Sequence, residues 1–197
     1  MQPSLTFEAF ASLAADHSVV PLSVEVLADR VTPVSVFDSL TEDGDGFLLE
    51  SVEGGERWAR WSFVGWDPQF TLTAHDGVAE TDSGVDLANG DPLTVLEDLT
   101  ERFSVPDGDE LGFGGPVPPL HSGAVGYLSY DAVRYVERLP NRPNDDRGLP
   151  EMLWQFVGGL AAIDRLRETV TLIRNVYVTD DLEADYEQAV DLLRDAV

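Results

Sequence analysis

The chain has 197 residues, enough for one globular domain, and 43% of them are hydrophobic. Its 37 acidic and 12 basic residues give a formal net charge of −25, which argues against binding to nucleic acid or to an anionic membrane, because phosphate groups are held by clustered Lys and Arg. The lack of cysteine excludes disulfides, thiol nucleophiles and cysteine-based metal sites.

All twelve cations are arginine, and the excess of acids makes the chain strongly self-repelling at low ionic strength. We expect adaptation to a salty cytoplasm, because ions at about 1 M shorten the range of charge repulsion to about 3 Å. The N-terminus lacks the basic region and apolar run of an export signal, and no apolar stretch approaches the roughly 20 residues of a spanning helix. The sequence therefore predicts a soluble, cytoplasmic protein with no membrane contact.

The start of the chain predicts a helix, a strand and a second helix. Thr6 is placed to cap the first helix, whose apolar face is expected to contain Phe7, Phe10, Leu13 and Ala14. Residues 19–26 alternate as a strand, and Pro21 in it indicates an edge or exposed position, because proline cannot donate to a central ladder. Thr32 followed by Pro33 predicts the second helix. The inward face of this helix is expected to contain Val34, Phe37 and Leu40.

Two strands joined by a polar connection are predicted between residues 47 and 66. The first strand is an apolar run that stops at Glu50 and Ser51, and a Gly-Gly pair then turns the chain. The return strand has a period of two, which places Ala59, Trp61 and Phe63 on one face. Glu50 and Ser51 are therefore expected at the point where the first strand emerges from the core.

The middle of the chain predicts a hairpin, a helix and a buried strand. Apolar and polar side chains alternate over residues 70–74, a His-Asp-Gly turn follows, and Val78 begins a return strand. This pattern is typical of a hairpin. A cap-plus-proline signal at Asp91 precedes a narrow apolar stripe at helical spacing, formed by Leu93, Leu96, Leu99 and Phe103. Residues 123–130 predict a buried strand, after which Asp131 is placed to cap a helix over 132–139.

Two apolar runs, 152–163 and 169–178, are joined by a charged turn and predict a hairpin. Asp180 is placed to cap a last helix, whose inward face is expected to contain Leu182, Tyr186, Ala189, Val190, Leu193 and Val197. Because hairpins alternate with single helices, the sequence predicts one α+β domain over residues 1–197, with largely antiparallel β-sheets.

Motifs that would carry catalysis are not found in the sequence. His17, His75 and His121 are dispersed, and none has the spacing of a metal site. The chain contains no dinucleotide-binding fingerprint, P-loop or nucleophile elbow. These patterns therefore identify no candidate catalytic residue, and we expect no metal ligand in this chain.

Three segments together resemble the N-terminal domain of anthranilate synthase component I, within the family of chorismate-using enzymes. They are Asp29-Arg30-Val31-Thr32-Pro33-Val34, the Leu48-Leu49-Glu50-Ser51 segment with its Gly-Gly turn and return strand, and Gly123 to Asp131. They occur in the family's order. The resemblance implies the family's architecture, in which β-sheets pack together with helices on the outside.

The resemblance also implies a binding site. In the resembling family the Leu-Leu-Glu-Ser segment helps to form the pocket for L-tryptophan, the feedback inhibitor, which assigns Glu50, Ser51 and Leu49 to that pocket. A carboxylate can hold the ligand's ammonium group by charge-assisted hydrogen bonds, and an apolar side chain can supply a wall for the indole. Some family members place a lysine in this pocket; since this chain has none, that contact is either absent or made by Arg57 or Arg60.

Finally, the resemblance implies the reaction of the whole enzyme, which makes anthranilate and pyruvate from chorismate and ammonia in the first step of L-tryptophan biosynthesis. In the family, a glutamine amidotransferase subunit supplies the ammonia. Chorismate, Mg²⁺ and the catalytic residues belong to a C-terminal domain, so this chain alone is expected to be inactive and to bind no cofactor.

Three alternatives remain for the identity of the chain: the corresponding domain of aminodeoxychorismate synthase component I, a stand-alone amino-acid-binding regulatory module, and a scaffold for an amidotransferase.

Overall fold

The computed structural model describes residues 2–42, 44–50, 60–141 and 144–197. They group into two compact units. Unit 1 comprises Met1–Pro68, Phe103–Gly123 and Val157–Val197, and unit 2 comprises Gln69–Arg102 and Ala124–Phe156. The single-domain organisation stays a prediction.

The described residues form nine strands and four α-helices. The strands are β1 (Val19–Leu27), β2 (Gly46–Glu50), β3 (Trp61–Trp66), β4 (Phe70–His75), β5 (Val78–Thr81), β6 (Ala124–Leu128), β7 (Met152–Phe156), β8 (Gly159–Asp164) and β9 (Thr169–Tyr177). The helices are α1 (Phe7–Ala14), α2 (Pro33–Thr41), α3 (Pro92–Arg102) and α4 (Leu182–Asp195). In the described residues, no helix combines the length and the hydrophobicity that crossing a bilayer requires.

Each unit contains one antiparallel sheet. In unit 1 the five strands follow the order β1-β9-β8-β3-β2, and in unit 2 the four strands follow the order β5-β4-β7-β6. β1 is an edge strand, which agrees with the proline that it contains. The predicted α+β class with antiparallel sheets is confirmed.

The core of unit 1 lies between one face of its sheet and the helices α1 and α4. Alternate residues of each strand point to this face, and they are apolar over most of it. Phe10 of α1 and Leu193 of α4 pack into the same cluster as Leu22 and Val64 of the sheet, and all four are buried. Burial of side chains this large contributes about 1.5–3 kcal/mol each.

Side-chain caps begin all four α-helices of the described residues, at or next to the predicted positions. The hydroxyl of Thr6 accepts from Ala9 N at 3.3 Å, and the carboxylate of Asp91 accepts from Leu93 N at 2.9 Å. The last helix is capped by Asp181, one residue after the predicted Asp180. Five of the six residues predicted to face inward from α4 belong to the core cluster or pack against it, and the sixth, Val197, is exposed.

The predicted inward face of α2 is wrong at one residue. Val34 is exposed, and Val36 packs towards the core of unit 1 in its place, beside Phe37 and Leu40. On β3, Trp61 and Phe63 share one face, as the period of two predicts, and they are half-buried and stack with their ring centroids 6.3 Å apart, whereas Ser62 and Val64, on the other face, are buried. The aromatic residues thus lie on the opposite face of the sheet from the core cluster.

Unit 2 begins with the predicted hairpin. β4 and β5 are joined by Asp76 and Gly77, with φ angles of 50° and 77°, which are the left-handed values that a two-residue hairpin turn needs. On α3 the buried residues are Pro92, Val95 and Leu99. Leu99 belongs to the predicted stripe, whereas Pro92 and Val95 are buried in place of the predicted Leu93 and Leu96.

Three predictions in the second half of the chain are wrong. The run 152–163 forms two strands rather than one, because β7 pairs in the sheet of unit 2 and β8 in that of unit 1. Residues 123–130 do not form a buried strand, since β6 is a half-exposed edge strand. The predicted helix over 132–139 is a 3₁₀ helix at Tyr130–Tyr135, and Asp131 binds Arg134 at 2.8 Å instead of capping an α-helix.

Candidate functional site

A cleft of about 410 Å³ lies in unit 1, beside the start of α2, the end of β2 and the turn between β8 and β9. This volume is within the range of about 300–1,000 Å³ that is typical of small-molecule sites. Four apolar side chains line the cleft, namely Ala28, Val31, Pro33 and Ile163. The charged side chains that line it are Asp29, Glu50, Asp164, Arg165 and Glu168.

The register of the sheet brings Glu50 to this cleft. Glu50 pairs with Ser62 across β2 and β3, and Ser62 pairs with Ile163 across β3 and β8. Directly opposed residues share one face of a sheet, so Glu50 lies on the same face as Ile163. It is the last residue of β2, where the chain leaves the sheet, and its side chain keeps 28% of its accessible surface.

The opposite wall of the cleft is fixed by hydrogen bonds around the start of α2. Thr32 and Ser35 form a capping box, in which Ser35 N donates to the Thr32 hydroxyl at 3.1 Å and Thr32 N donates to the Ser35 hydroxyl at 2.9 Å. The segment before the helix is tied to the β8–β9 turn, because Ala28 N donates to Glu168 O at 2.8 Å. The cleft therefore has a defined shape on this side.

Glu50 and Arg165 both line the cleft and form an ion pair, in which Arg165 Nη2 donates to Glu50 Oε1. Both side chains are partly exposed, Arg165 at 40%. Of the described residues that line the cleft, Arg165 alone carries a positive charge. The cleft is consequently rich in carboxylate groups, which accept hydrogen bonds. Arg165, its one cation among the described residues, lies beside Glu50 and can donate them.

A second ion pair joins the start of β3 to the end of β8. Arg60 Nε and Nη2 donate to the two carboxylate oxygens of Asp164 at 2.9 and 2.5 Å, and the Asp164 side chain is only 2% exposed. Burial opposes ionisation of Asp164, but the hydrogen bonds from Arg60 and from the backbone of Leu166 outweigh it and hold its pKa below the ordinary value. The Arg60 guanidinium also lies 5.1 Å from the centre of the Trp61 ring.

The residues that the sequence predicts for the site do not all lie at this cleft. Glu50 lines the cleft. Leu49 points to the other face of the sheet, where it pairs with Phe63, so it is not placed to supply an apolar wall beside Glu50. Arg60 does not line the cleft, and its guanidinium is bound to Asp164. Ser51 and Arg57 lie outside the described residues.

Sequence reasoning missed Arg165 and the wall formed by the segment before α2. The charged stretch between the last two strands predicts a turn, and nothing local in it indicates that Arg165 reaches Glu50, 115 residues earlier. The signal that could have found the wall is the Asp-Arg-Val-Thr-Pro motif itself, since four of its residues line the cleft: Asp29, Val31, Thr32 and Pro33. Two of the three motifs that carry the resemblance thus meet at one cleft.

Metal-binding geometry is not found in the described part of the chain, where no group of three or more His, Asp or Glu residues is arranged to hold an ion. His121 contacts Pro118 O at 3.1 Å through Nδ1 and packs against Phe113, with the ring centroids 5.8 Å apart. These contacts describe a structural histidine. The absence of a metal ligand set in the whole chain stays a prediction.

Comparisons with known proteins agree on one family. No protein-family model matches the chain. Anthranilate synthase component 1 of Mycobacterium tuberculosis is 43% identical over 173 residues, which cover 85% of this chain and 33% of that protein. The protein of the same name from Acetivibrio thermocellus is 34% identical over 192 residues, which cover 96% of this chain and 38% of that protein. The chain thus spans between a third and two fifths of the length of these curated relatives.

One solved structure supports the fold. The crystal structure of anthranilate synthase component I from Streptococcus pneumoniae matches 86% of this chain and 36% of that chain, with a TM-score of 0.52 and 20% identity. At this identity the likeness concerns the fold alone.

Proposed function

Given that this chain belongs to the anthranilate synthase component I family, we propose that it is the N-terminal, regulatory part of such an enzyme and that its cleft binds L-tryptophan. The whole enzyme would make anthranilate and pyruvate from chorismate and ammonia. We assign chorismate, Mg²⁺ and catalysis to the part of the protein beyond this chain. The relatives reported above are anthranilate synthases, which favours this reaction over aminodeoxychorismate formation.

One observation carries the proposal: the Asp-Arg-Val-Thr-Pro motif and the end of the Leu-Leu-Glu-Ser motif line the same cleft, although they lie on different elements. Segments separated in sequence that converge on one hollow favour a binding site over an ordinary strand end. The cleft supplies both kinds of surface that tryptophan needs. Val31, Pro33 and Ile163 offer an apolar wall for the indole, and Glu50 offers a carboxylate for the ammonium group.

Regulation would follow from differential binding. If tryptophan binds more tightly to a low-activity arrangement of the whole enzyme than to the active one, its binding shifts the population towards low activity. A tenfold difference in affinity corresponds to about 1.4 kcal/mol, which is within the usual range of allosteric coupling. The chain itself needs no catalytic group for this role.

A surface of unit 2 supports the proposal that a further part of the protein packs against this chain. Large apolar side chains are exposed around β6 and the 3₁₀ helix, namely Tyr127, Leu128, Tyr130, Val136, Leu139 and Leu149. Residues 127–149 contain four arginines and four acids, so this segment is neutral in a chain of net charge −25. An apolar and locally neutral surface suits a protein contact. We propose the C-terminal catalytic part as its partner, and a glutamine amidotransferase subunit as the partner of the assembled enzyme.

The binding site can be tested on this chain by titration calorimetry at high KCl concentration. Glu50→Gln keeps the shape of the side chain and removes its charge, so the affinity for L-tryptophan should fall by about tenfold or more, the effect of losing a charge-assisted hydrogen bond. Glu25→Gln is the matched control, since Glu25 also pairs with an arginine, Arg167, but does not line the cleft. Equal affinities of Glu50→Gln and the unaltered chain, or no binding by the unaltered chain, would contradict the proposal.

A further inference from the structure

We propose that Arg165 receives the carboxylate group of the bound amino acid, so that Glu50 and Arg165 together recognise the two charges of a zwitterion. This inference rests on the proposed function, because it names a further residue of the same cleft. It identifies the cation that binds the ligand's carboxylate in a chain that has no lysine. The two arginines predicted from the sequence for this role are Arg57, which lies outside the described residues, and Arg60.

The position of Arg165 is the first argument. It follows directly after β8 and lines the same cleft as Glu50, which ends β2. Its backbone is held in place because Arg165 N donates to Arg60 O at 3.0 Å. The side chain remains 40% exposed, so the guanidinium can change partner without leaving a buried site.

The commitments of the neighbouring arginines are the second argument. Arg60 binds both oxygens of the buried Asp164, and taking Arg60 away would leave that carboxylate buried without its partner, which is strongly unfavourable. Arg167 donates to both carboxylate oxygens of Glu25, on β1. Neither of these arginines lines the cleft.

Arg165 differs from both, because its partner is itself a proposed ligand-binding group. When the ammonium group of an amino acid binds Glu50, that carboxylate gains a new cation, and Arg165 is released to accept the ligand's carboxylate. Each charge of the pair then finds an opposite charge on the ligand. The exchange leaves neither Glu50 nor Arg165 without a partner of opposite charge, which limits its cost.

The charges of the cleft are the third argument. Asp29, Glu50 and Glu168 line it together with Asp164, so a ligand carboxylate would meet a negative field unless a cation received it. Among the described lining residues, only Arg165 can do so. The cleft should therefore discriminate between tryptophan, which carries both charges, and its analogues that carry one.

The test measures binding of L-tryptophan and of tryptamine, which has the ammonium group but no carboxylate, to the unaltered chain and to two variants at high KCl concentration. Arg165→Gln should weaken L-tryptophan binding by about tenfold or more, and it should leave tryptamine binding unchanged or tighter, because Glu50 loses its competing partner. Arg167→Gln is the matched control, since Arg167 lies in the same turn and pairs with Glu25. It should change neither affinity by more than about twofold.

Arg165→Lys provides a check that does not depend on the loss of a charge. It keeps a cation at the cleft and should bind L-tryptophan within about fivefold of the unaltered chain, as expected where only the bidentate geometry is lost. Circular dichroism and thermal melting identify any variant that fails to fold, in which case the lysine variant and the two ligands carry the comparison.

Three results would overturn the inference, and they separate it from the proposed function. If Arg165→Gln binds L-tryptophan as well as the unaltered chain while Glu50→Gln does not, Arg165 only covers Glu50, and the proposed function stands. If Arg165→Gln loses both ligands equally, its effect is a general disturbance of the cleft. If the unaltered chain binds no L-tryptophan, the proposed function fails, and this inference fails with it.

Discussion

The pair formed by Arg60 and Asp164 shows how one buried carboxylate can hold two strands in register. Trp61 and Asp164 are directly paired residues of β3 and β8, and the Arg60 side chain reaches across to the Asp164 carboxylate at the ends of these strands. Asp164 also accepts from Leu166 N at 3.0 Å, which shapes the turn that carries Arg165. A buried acid with these three donors therefore has a structural role next to the cleft.

Replacing this acid should destabilise the chain. Asp164→Asn leaves Arg60 without its partner, and we expect the free energy of unfolding to fall by about 2–4 kcal/mol, because the pair is buried on one side and part-exposed on the other. Urea unfolding at high salt measures the change. Asp191→Asn breaks an exposed pair with Arg194 and should cost less than about 1 kcal/mol. Equal effects of the two substitutions would contradict a special role for Asp164.

The same substitution predicts a pH dependence. The pKa of Asp164 is lowered in the folded chain, so its contribution is fully present above the ordinary Asp value of about 4 and is lost as the pH falls through the lower, folded value. The difference in unfolding free energy between the unaltered chain and Asp164→Asn should therefore be constant near neutral pH and shrink in acid. A difference that grows in acid would contradict this assignment.

At the scale of elements, local signals are predictable from the sequence and pairings between distant segments are not. The caps at Thr6 and Thr32 depend on hydrogen bonds within four residues, and the chain has them where the sequence predicts them. The division of the run 152–163 between two sheets depends on pairing with β4, β6, β3 and β9, which no local pattern contains. For the same reason Glu50 was predictable as a strand end, whereas its partner Arg165 was not.

The start of α2 links helix stability to the cleft. Thr32→Ala removes the capping box and should lower the free energy of unfolding by about 1 kcal/mol, and it should also weaken L-tryptophan binding, because Thr32 and Pro33 line the cleft. Thr6→Ala removes a similar cap from α1 and should lower stability by a similar amount without affecting binding. Calorimetry and urea unfolding of both variants check this prediction. Equal affinities of the two variants for L-tryptophan would show that the start of α2 does not contribute to the site.

For the whole molecule, the dominant physical feature is charge. A net charge of −25 destabilises a compact state by self-repulsion, and salt screens this repulsion over distances beyond the Debye length, about 10 Å at 0.1 M and about 3 Å at 1 M. The melting temperature should therefore rise steeply as KCl is increased from about 0.1 M to above about 1 M. A flat melting temperature across this series would show that the repulsion is already balanced within the fold.

The pairing of β1 with β9 has a consequence for how the chain is made. Val19 opposes Tyr177, so the first strand meets its partner only after residue 177 has left the ribosome. At about 5–20 residues per second, the roughly 150 residues between them take about 8–30 s to synthesise. Throughout that interval an unsatisfied strand is open to wrong partners. The acidity that strains the finished fold then keeps unfinished chains apart, and so protects the protein before it has a structure.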